Sequence, residues 1–298
     1  MKIIVLGSAA GGGFPQWNCR CPTCQLARAG DPRVQPRTQA GIAVSADGES
    51  WLLVNASPDL RQQIISTPEL HPRHGLRHSP IGAVLLTNGD LDAIAGLLTL
   101  RERQPFLLYG TKAALDVLDG NTVFNVLSDL VERRDFTFGK VFEAVPGLQV
   151  EAFTVPGKVP LYLEGSDPVL AEEGENVIGL EITAGGKRLV FIANCARVSD
   201  AVRKRTKGAD LLMFDGTTFT DDEMPSLGLS QKTAARMGHL AMSGEGGSMA
   251  ALADVDAGRR LFIHINNSNP ALVDGSPERQ AVEVAGWQLA HDGMRIEL

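Results

Sequence analysis

The chain has 298 residues, a formal net charge of −7 at pH 7 and 44% hydrophobic residues. That length holds one large domain or two small ones, and the negative charge argues against general nucleic-acid affinity. No apolar run reaches membrane-spanning length, and the first apolar run, Met1 to Leu6, is cut by Gly7 too soon for a signal peptide. The expected compartment is therefore the cytosol, with neither nucleic acid nor membrane as partner.

Residues Ile3 to Leu6 read as a first strand, followed by the glycine-rich run Gly7 to Gly13. Such a run can cradle phosphate, but the dinucleotide-binding spacing is poor and Phe14-Pro15 blocks a clean helix start. A loop lying close against other backbone is the expectation. Next, Cys19, Cys21 and Cys24 crowd into six residues, separated by the polar or loop-forming Arg20, Pro22 and Thr23. Cytosolic disulfides are rare, and three thiolates at this spacing can wrap one tetrahedral Zn²⁺ with one place left for a ligand from elsewhere.

Residues 40–44 and 51–55 read as a hairpin around the turn at 46–49. Ser57 then reads as the N-cap of a helix with Pro58 at its first position. His71, His74 and His78 are interrupted by Pro72 and Gly75, so a solvated loop is expected there rather than a metal site. The apolar run Ala83 to Leu86 reads as a buried strand, and Leu97, Leu98 and Leu100 fit a helix. Between them stand Asp90 and Asp92. Capping would need one carboxylate; two, where a core strand gives way to a helix, point to a metal or catalytic site.

Further strands are expected at 105–109 and 148–155, and helices at 113–118 and 123–131. Residues 155–160 form a turn-rich loop, a candidate pocket rim. In the second half three apolar strands each end on polar residues: 188–192 before Asn194-Cys195, 211–214 before Asp215, and 260–263 before His264. A helix between the last two carries Met237-Gly238-His239. Buried strands hold such residues rigidly, and function collects on the loops they feed. No repeat, linker or low-complexity tract divides the chain, so residues 1–298 read as one domain. The candidates are Asp90, Asp92, Asp215, His239 and His264, a mixed His–carboxylate set that suits Fe, Mn or Zn.

This order of strand, NGDLDA, helix, Asn194-Cys195, Asp215-Gly216-Thr217, His239 and His264 resembles the metallo-β-lactamase superfamily, whose signature is His-x-His-x-Asp-His followed by later His and Asp ligands. Stretches along nearly the whole chain are similar to the pyrroloquinoline quinone biosynthesis branch of that superfamily. They are GSAAGGG from Gly7, PQWNCRC from Pro15, RTQ from Arg37, NASPDLRQQ from Asn55, LRHSPI from Leu76, VPGKVP from Val155, MGH from Met237 and HINN from His264.

The resemblance implies an α+β protein, an αββα sandwich of two mixed sheets with helices outside and a metal site at one edge. Asn88 and Asp90 stand where the first two signature histidines would be, so the usual dinuclear zinc site is not expected. Asp92, Asp215 and His264 match metal ligands, and Asn194 or Cys195 stands near the place of the third histidine. Ala93 stands where the pattern has a histidine. Either that position has been altered or the site binds metal with Asp92, Asp215 and His264 only. A related phosphodiesterase branch takes a fourth ligand for its cysteine loop three residues after the last histidine, which here is Asn267, a poor zinc ligand.

The implied activity is Fe(II)- and O₂-dependent hydroxylation of the tyrosine ring in a Glu–Tyr crosslinked diamino acid. His239 would be a proton donor or acceptor, Asp90 a second catalytic group, and zinc structural at the cysteine loop. Two alternatives stay open: metal-dependent phosphodiester hydrolysis, the superfamily default, and a carrier for the finished quinone. A homodimer also stays open.

Overall fold

A computed structural model of the protein describes residues 1–127, 129–166 and 169–298. The first sheet runs in the order β14-β1-β2-β3-β4-β5-β6, with β1 Lys2–Gly7, β2 Gly41–Ser45, β3 Trp51–Val54, β4 Ile81–Leu85, β5 Phe106–Tyr109, β6 Val131–Arg134 and β14 Arg295–Glu297. The second runs β13-β12-β11-β10-β9-β8-β7, with β7 Phe142–Val145, β8 Leu148–Gly157, β9 Glu172–Ala184, β10 Lys187–Ile192, β11 Leu211–Asp215, β12 Arg259–Ile263 and β13 Gln288–Leu289. Both sheets are mixed: β1, β2, β3 and β14 pair antiparallel and β3 to β6 parallel, while β7 to β10 pair antiparallel and β10 to β13 parallel.

Side-chain alternation builds the layers. Ile3, Val5, Ile42, Val44 and Leu85 from the first sheet share one buried cluster with Val150, Leu180, Phe191, Met213 and Ile263 from the second. The intervening residues face outward. Ile4, Leu6, Leu53 and Val84 pack under Leu60, Ile94, Leu97 and Leu118 of the flanking helices. On the other side Val190, Ile192, Leu212 and Phe214 pack under Val202, Leu252, Leu272 and Trp287. Each such Leu, Ile or Val contributes about 1.5–3 kcal/mol on burial. Strands apolar on both faces are what a four-layer αββα sandwich demands, and the expected fold class holds.

Three local expectations need correction. The helix after Ser57 starts later, at Leu60, with Asp59 in the N-cap position. Ser57 Oγ donates to Gln63 Oε1 at 3.2 Å, and the Asp59 carboxylate accepts from Gln39 N at 2.9 Å, so neither side chain caps the helix. The helix expected over 123–131 is a short 3₁₀ turn, Thr122–Leu127, and Val131 already opens β6; residue 128 of that expectation lies outside the described residues. Strands β6, β7, β9, β13 and β14 were not read from the sequence. In β9 the charged start, Glu172 to Glu175, hides a strand that becomes apolar only from Val177. No helix among the described residues is long and apolar enough to cross a membrane.

Candidate functional site

The site forms where strand ends of both sheets meet. Asp92 lies in the short helix Leu91–Ile94 that follows β4, Asp215 is the last residue of β11, and His264 follows β12 directly. His239 comes just after the helix Ala234–Met237, which ends at Gly238 in the left-handed conformation (φ 86°), a usual way to stop a helix. Two further features set the Asp92 helix. Asn55, at φ 64°, accepts from Thr87 N and donates to Thr87 Oγ1, both at 2.9 Å, tying the end of β3 to the start of the Asp-bearing loop. At Gly96 a Cβ would lie 1.9 Å from the Ser57 carbonyl oxygen, so only glycine allows this approach.

Ligand atoms of Asp215, His239 and His264 lie within 4.8 Å of one another. Asp92 joins them through His264: its Oδ2 is 3.0 Å from His264 Nε2. Asp215 is fully buried; Oδ2 accepts from Cys195 N at 2.9 Å and faces His239 Nδ1 at 2.7 Å, while Oδ1 accepts from Thr217 N and Oγ1 at 3.0 and 2.7 Å. The imidazoles of His239 and His264 stack, with ring centroids 5.3 Å apart. His264 reaches this position at φ 59°, a conformation that costs roughly 1–3 kcal/mol in a non-glycine residue and persists where the surroundings enforce it.

Thr217 was missed by sequence reasoning and is a hub here. Its Oγ1 lies 3.0 Å from His239 Nδ1 and 2.9 Å from His264 Nδ1. The one available signal was its place two residues after a strand-end aspartate.

Asp92, Thr217, His239 and His264 line a cavity of about 620 Å³ together with Gly11, Gly12, Asp90, Lys158, Tyr162, Asn194 and Lys232, and Asp215 lies buried behind them. The glycine-rich loop thus serves close backbone approach, with Ala9 bridging both Gln39 and Ile265, and the turn-rich loop supplies Lys158 to the rim. Asn194 faces the cavity and pairs with Asn88 at 3.1 Å, whereas the Cys195 thiol is buried in the outer apolar layer, where burial pushes its pKa up. Ala93 is buried with the apolar residues behind the Asp92 helix and does not line the cavity. His74 and the loop around it are exposed, as expected.

Burial, with Asp92 nearby, raises the Asp90 carboxyl above its ordinary value. Burial pushes Asp92 the same way, but its hydrogen bond and attraction to His264 outweigh this and hold it lower. Burial depresses His264, and Asp92 and Asp215 more than reverse it, so its pKa is raised. Acid and imidazole thus stabilise each other's charged forms.

The three thiols form a second cluster. Sulfurs of Cys19, Cys21 and Cys24 lie within 4.8 Å of one another, all buried. Asn267 Nδ2 lies 3.2, 3.5 and 3.3 Å from the three sulfurs, so the amide tip occupies the fourth corner. Half a turn about the terminal bond would put its oxygen at that corner instead. Thr23 Oγ1 donates to the Asn267 carbonyl at 2.5 Å, which anchors the loop to the chain leaving His264.

Glu223 lies beneath the same chain, hydrogen-bonded by Phe219 N at 2.7 Å and by Ser268 Oγ. Burial pushes its carboxyl from 4.5 up to about 7. The folded protein therefore binds this proton more tightly than the unfolded chain. The stability is full below pH 4.5 and is lost as pH rises through about 7, on the order of 3 kcal/mol in all. Glu223→Gln keeps the hydrogen bonds and is expected to flatten that part of the stability profile, read by urea unfolding at a series of pH values; an unchanged profile would remove Glu223 as its source.

A family model described as a beta-lactamase superfamily domain matches residues 50–265. Coenzyme PQQ synthesis protein B of Methylobacterium nodulans is 59% identical over 299 residues, covering 100% of both chains. The crystal structure of Zn²⁺-bound PqqB from Methylobacterium extorquens superposes with a TM-score of 0.99 at 57% identity, covering 100% of both chains. A diphosphatase of the PhnP family shares the fold at a TM-score of 0.70 and 21% identity, covering 100% of this chain and 97% of that one.

Proposed function

Because this chain belongs to the coenzyme PQQ synthesis protein B family, within the beta-lactamase superfamily, we propose that it acts in pyrroloquinoline quinone biosynthesis. The finer reading is an iron- and O₂-dependent hydroxylase of a tyrosine ring, carried in a Glu–Tyr crosslinked diamino acid. The observation that carries it is the convergence of Asp215, His239 and His264 on one point, with Asp92 against His264. Two imidazoles and a carboxylate are the donor set of non-haem Fe(II) oxygenases, and the cavity leaves room beside them.

Asp92, Asp215, His239 and His264 would hold the iron, which when bound supplies the redox chemistry for using dioxygen. The remaining work falls to the chain. Thr217 fixes the orientation of both imidazoles, and a ligating histidine depends on such a partner at its other nitrogen. Asp90, held by Leu161 N at 3.3 Å, has its carboxyl raised above the ordinary value by burial and would be the group at the cavity wall that passes a proton. Asp215 and Thr217, both at His239 Nδ1, fix which way that ring faces the cavity. The cysteine cluster suits structural zinc, with Asn267 at its fourth corner.

The test is anaerobic iron reconstitution followed by oxygen-uptake measurement with the tyrosine diamino acid. Uptake tied to hydroxylated product supports the reading. Cleavage of a phosphodiester without uptake would replace it by hydrolysis, and tight quinone binding with neither reaction would replace it by a carrier role. Ala93 is buried in the apolar layer and does not line the cavity, so Ala93→His is expected to lower stability without strengthening iron binding; a clear rise in affinity in a metal titration would put position 93 into the donor set.

A further inference from the structure

A second concentration of charge lies at the mouth of the same cavity. The carboxylate of Glu164, 7% exposed, is met by three cations: Lys158 Nζ in a short contact, Arg236 at 3.2 Å and Lys232 Nζ at 3.7 Å. Lys158 is itself only 13% exposed, and both lysines line the cavity. The stem of Lys158 lies flat on Gly238, where a Cβ would come within 2.9 Å of its Cγ, one residue before His239. The same rim segment is tied to the Asp90 loop, with Tyr162 Oη donating to the Gly89 carbonyl at 2.5 Å. The cluster is therefore built into the site.

One carboxylate cannot neutralise three cations, so the rim favours a further anion. Away from the lysines, Asp92 in the lining and Asp215 buried behind it form an acidic floor beside His264 that favours a cation, whereas Asp90 is held by the rim segment itself. A cavity with opposite ends of this kind selects both the ligand and its direction, because a reversed ligand would set its carboxylates against the acidic floor. Lys158 is tightly held by Glu164, whereas Lys232, 38% exposed and at longer range, is free to turn towards a ligand. We infer that Lys158 and Lys232 form a carboxylate clamp at the rim, which takes the acid groups of an aromatic polycarboxylate and points its ring at His239 and His264. This inference rests on the reading of the cavity as the substrate site.

The test compares p-hydroxybenzylmalonate, a phenol with two carboxylates, with its uncharged diamide, by calorimetry on the metal-loaded protein. In the Lys158→Met/Lys232→Met variant, whose stems keep their apolar length, binding of the dicarboxylate is expected to weaken by roughly tenfold or more. It should also lose most of its salt dependence, while the diamide binds both forms alike. Lys232→Met alone, at the more exposed lysine, should show the same sign and guards against misfolding of the double variant. Equal weakening of both ligands, or of neither, overturns the clamp. If the dicarboxylate then still binds and is lost only when the active-site metal is removed, the functional reading stands without the clamp. If neither ligand binds the unaltered protein, both fall.

Discussion

Serine in place of Cys24 is expected to lower the melting temperature by roughly 10 °C and to weaken metal binding at the His264 site by about tenfold. The reason is how the sulfur cluster is built. Burial pushes the Cys24 thiol up to about 12. Burial acts the same way on Cys21, but hydrogen bonds from Thr23 and from the Cys24 backbone outweigh it and hold that thiol lower. Without a cation the cluster cannot carry three negative charges, so it keeps protons that zinc must displace. Zinc uptake should release protons, and acid should reverse it.

Thr23 and Asn267 connect this cluster to the chain leaving His264, so a loosened sulfur loop loosens the histidine held at φ 59°. Chelation of the unaltered protein should act in the same direction as the substitution. Differential scanning calorimetry with zinc and iron analysis reads both effects. A variant with normal zinc content and normal melting would show that the three sulfurs do no more than pack.

Much of this was legible in the residues. The apolar runs that end on Asp215 and His264 reveal strands delivering polar side chains to the site, because a strand buried on both faces must be continuously apolar and its polar end must then stand out. The cysteine spacing shows the sulfur cluster for a related reason: three thiols within six residues, separated by Arg20, Pro22 and Thr23, stand out from an otherwise polar loop, although in the fold all three are also buried against the outer apolar layer. The strands that escaped notice carry weaker patterns. β9 opens on charged residues because its first half pairs at the exposed end of the sheet, and β6, Val-Glu-Arg-Arg, is an edge strand with little to bury. Thr217 escaped because a threonine after a strand has no chemical signature. Only its position between two imidazoles gives it one. The Glu164 cluster escaped for a related reason: Lys158, Glu164, Lys232 and Arg236 are scattered over the sequence and meet only through the fold.

Asp215→Asn is expected to abolish metal binding at the active site and all turnover, while leaving the fold intact. Asparagine has nearly the same shape, so the donors from Thr217 keep an acceptor at Oδ1 and the fully buried position is not emptied, while Cys195 N, which donates to Oδ2, loses its acceptor at a cost of about 1–3 kcal/mol. What disappears is the negative charge that faces His239 at 2.7 Å and lies within 4.8 Å of His264. A buried cation next to two neutral imidazoles then has Asp92 as its remaining close carboxylate. Loss of an outer partner such as Thr217 costs roughly 10- to 100-fold in metal affinity, and loss of the charge itself should exceed that. Thr217→Val therefore supplies the scale: iron titration should place it between the unaltered protein and Asp215→Asn. If Asp215→Asn were no worse than Thr217→Val, the aspartate would orient His239 without ligating, and Asp92 with the two histidines would be the donor set.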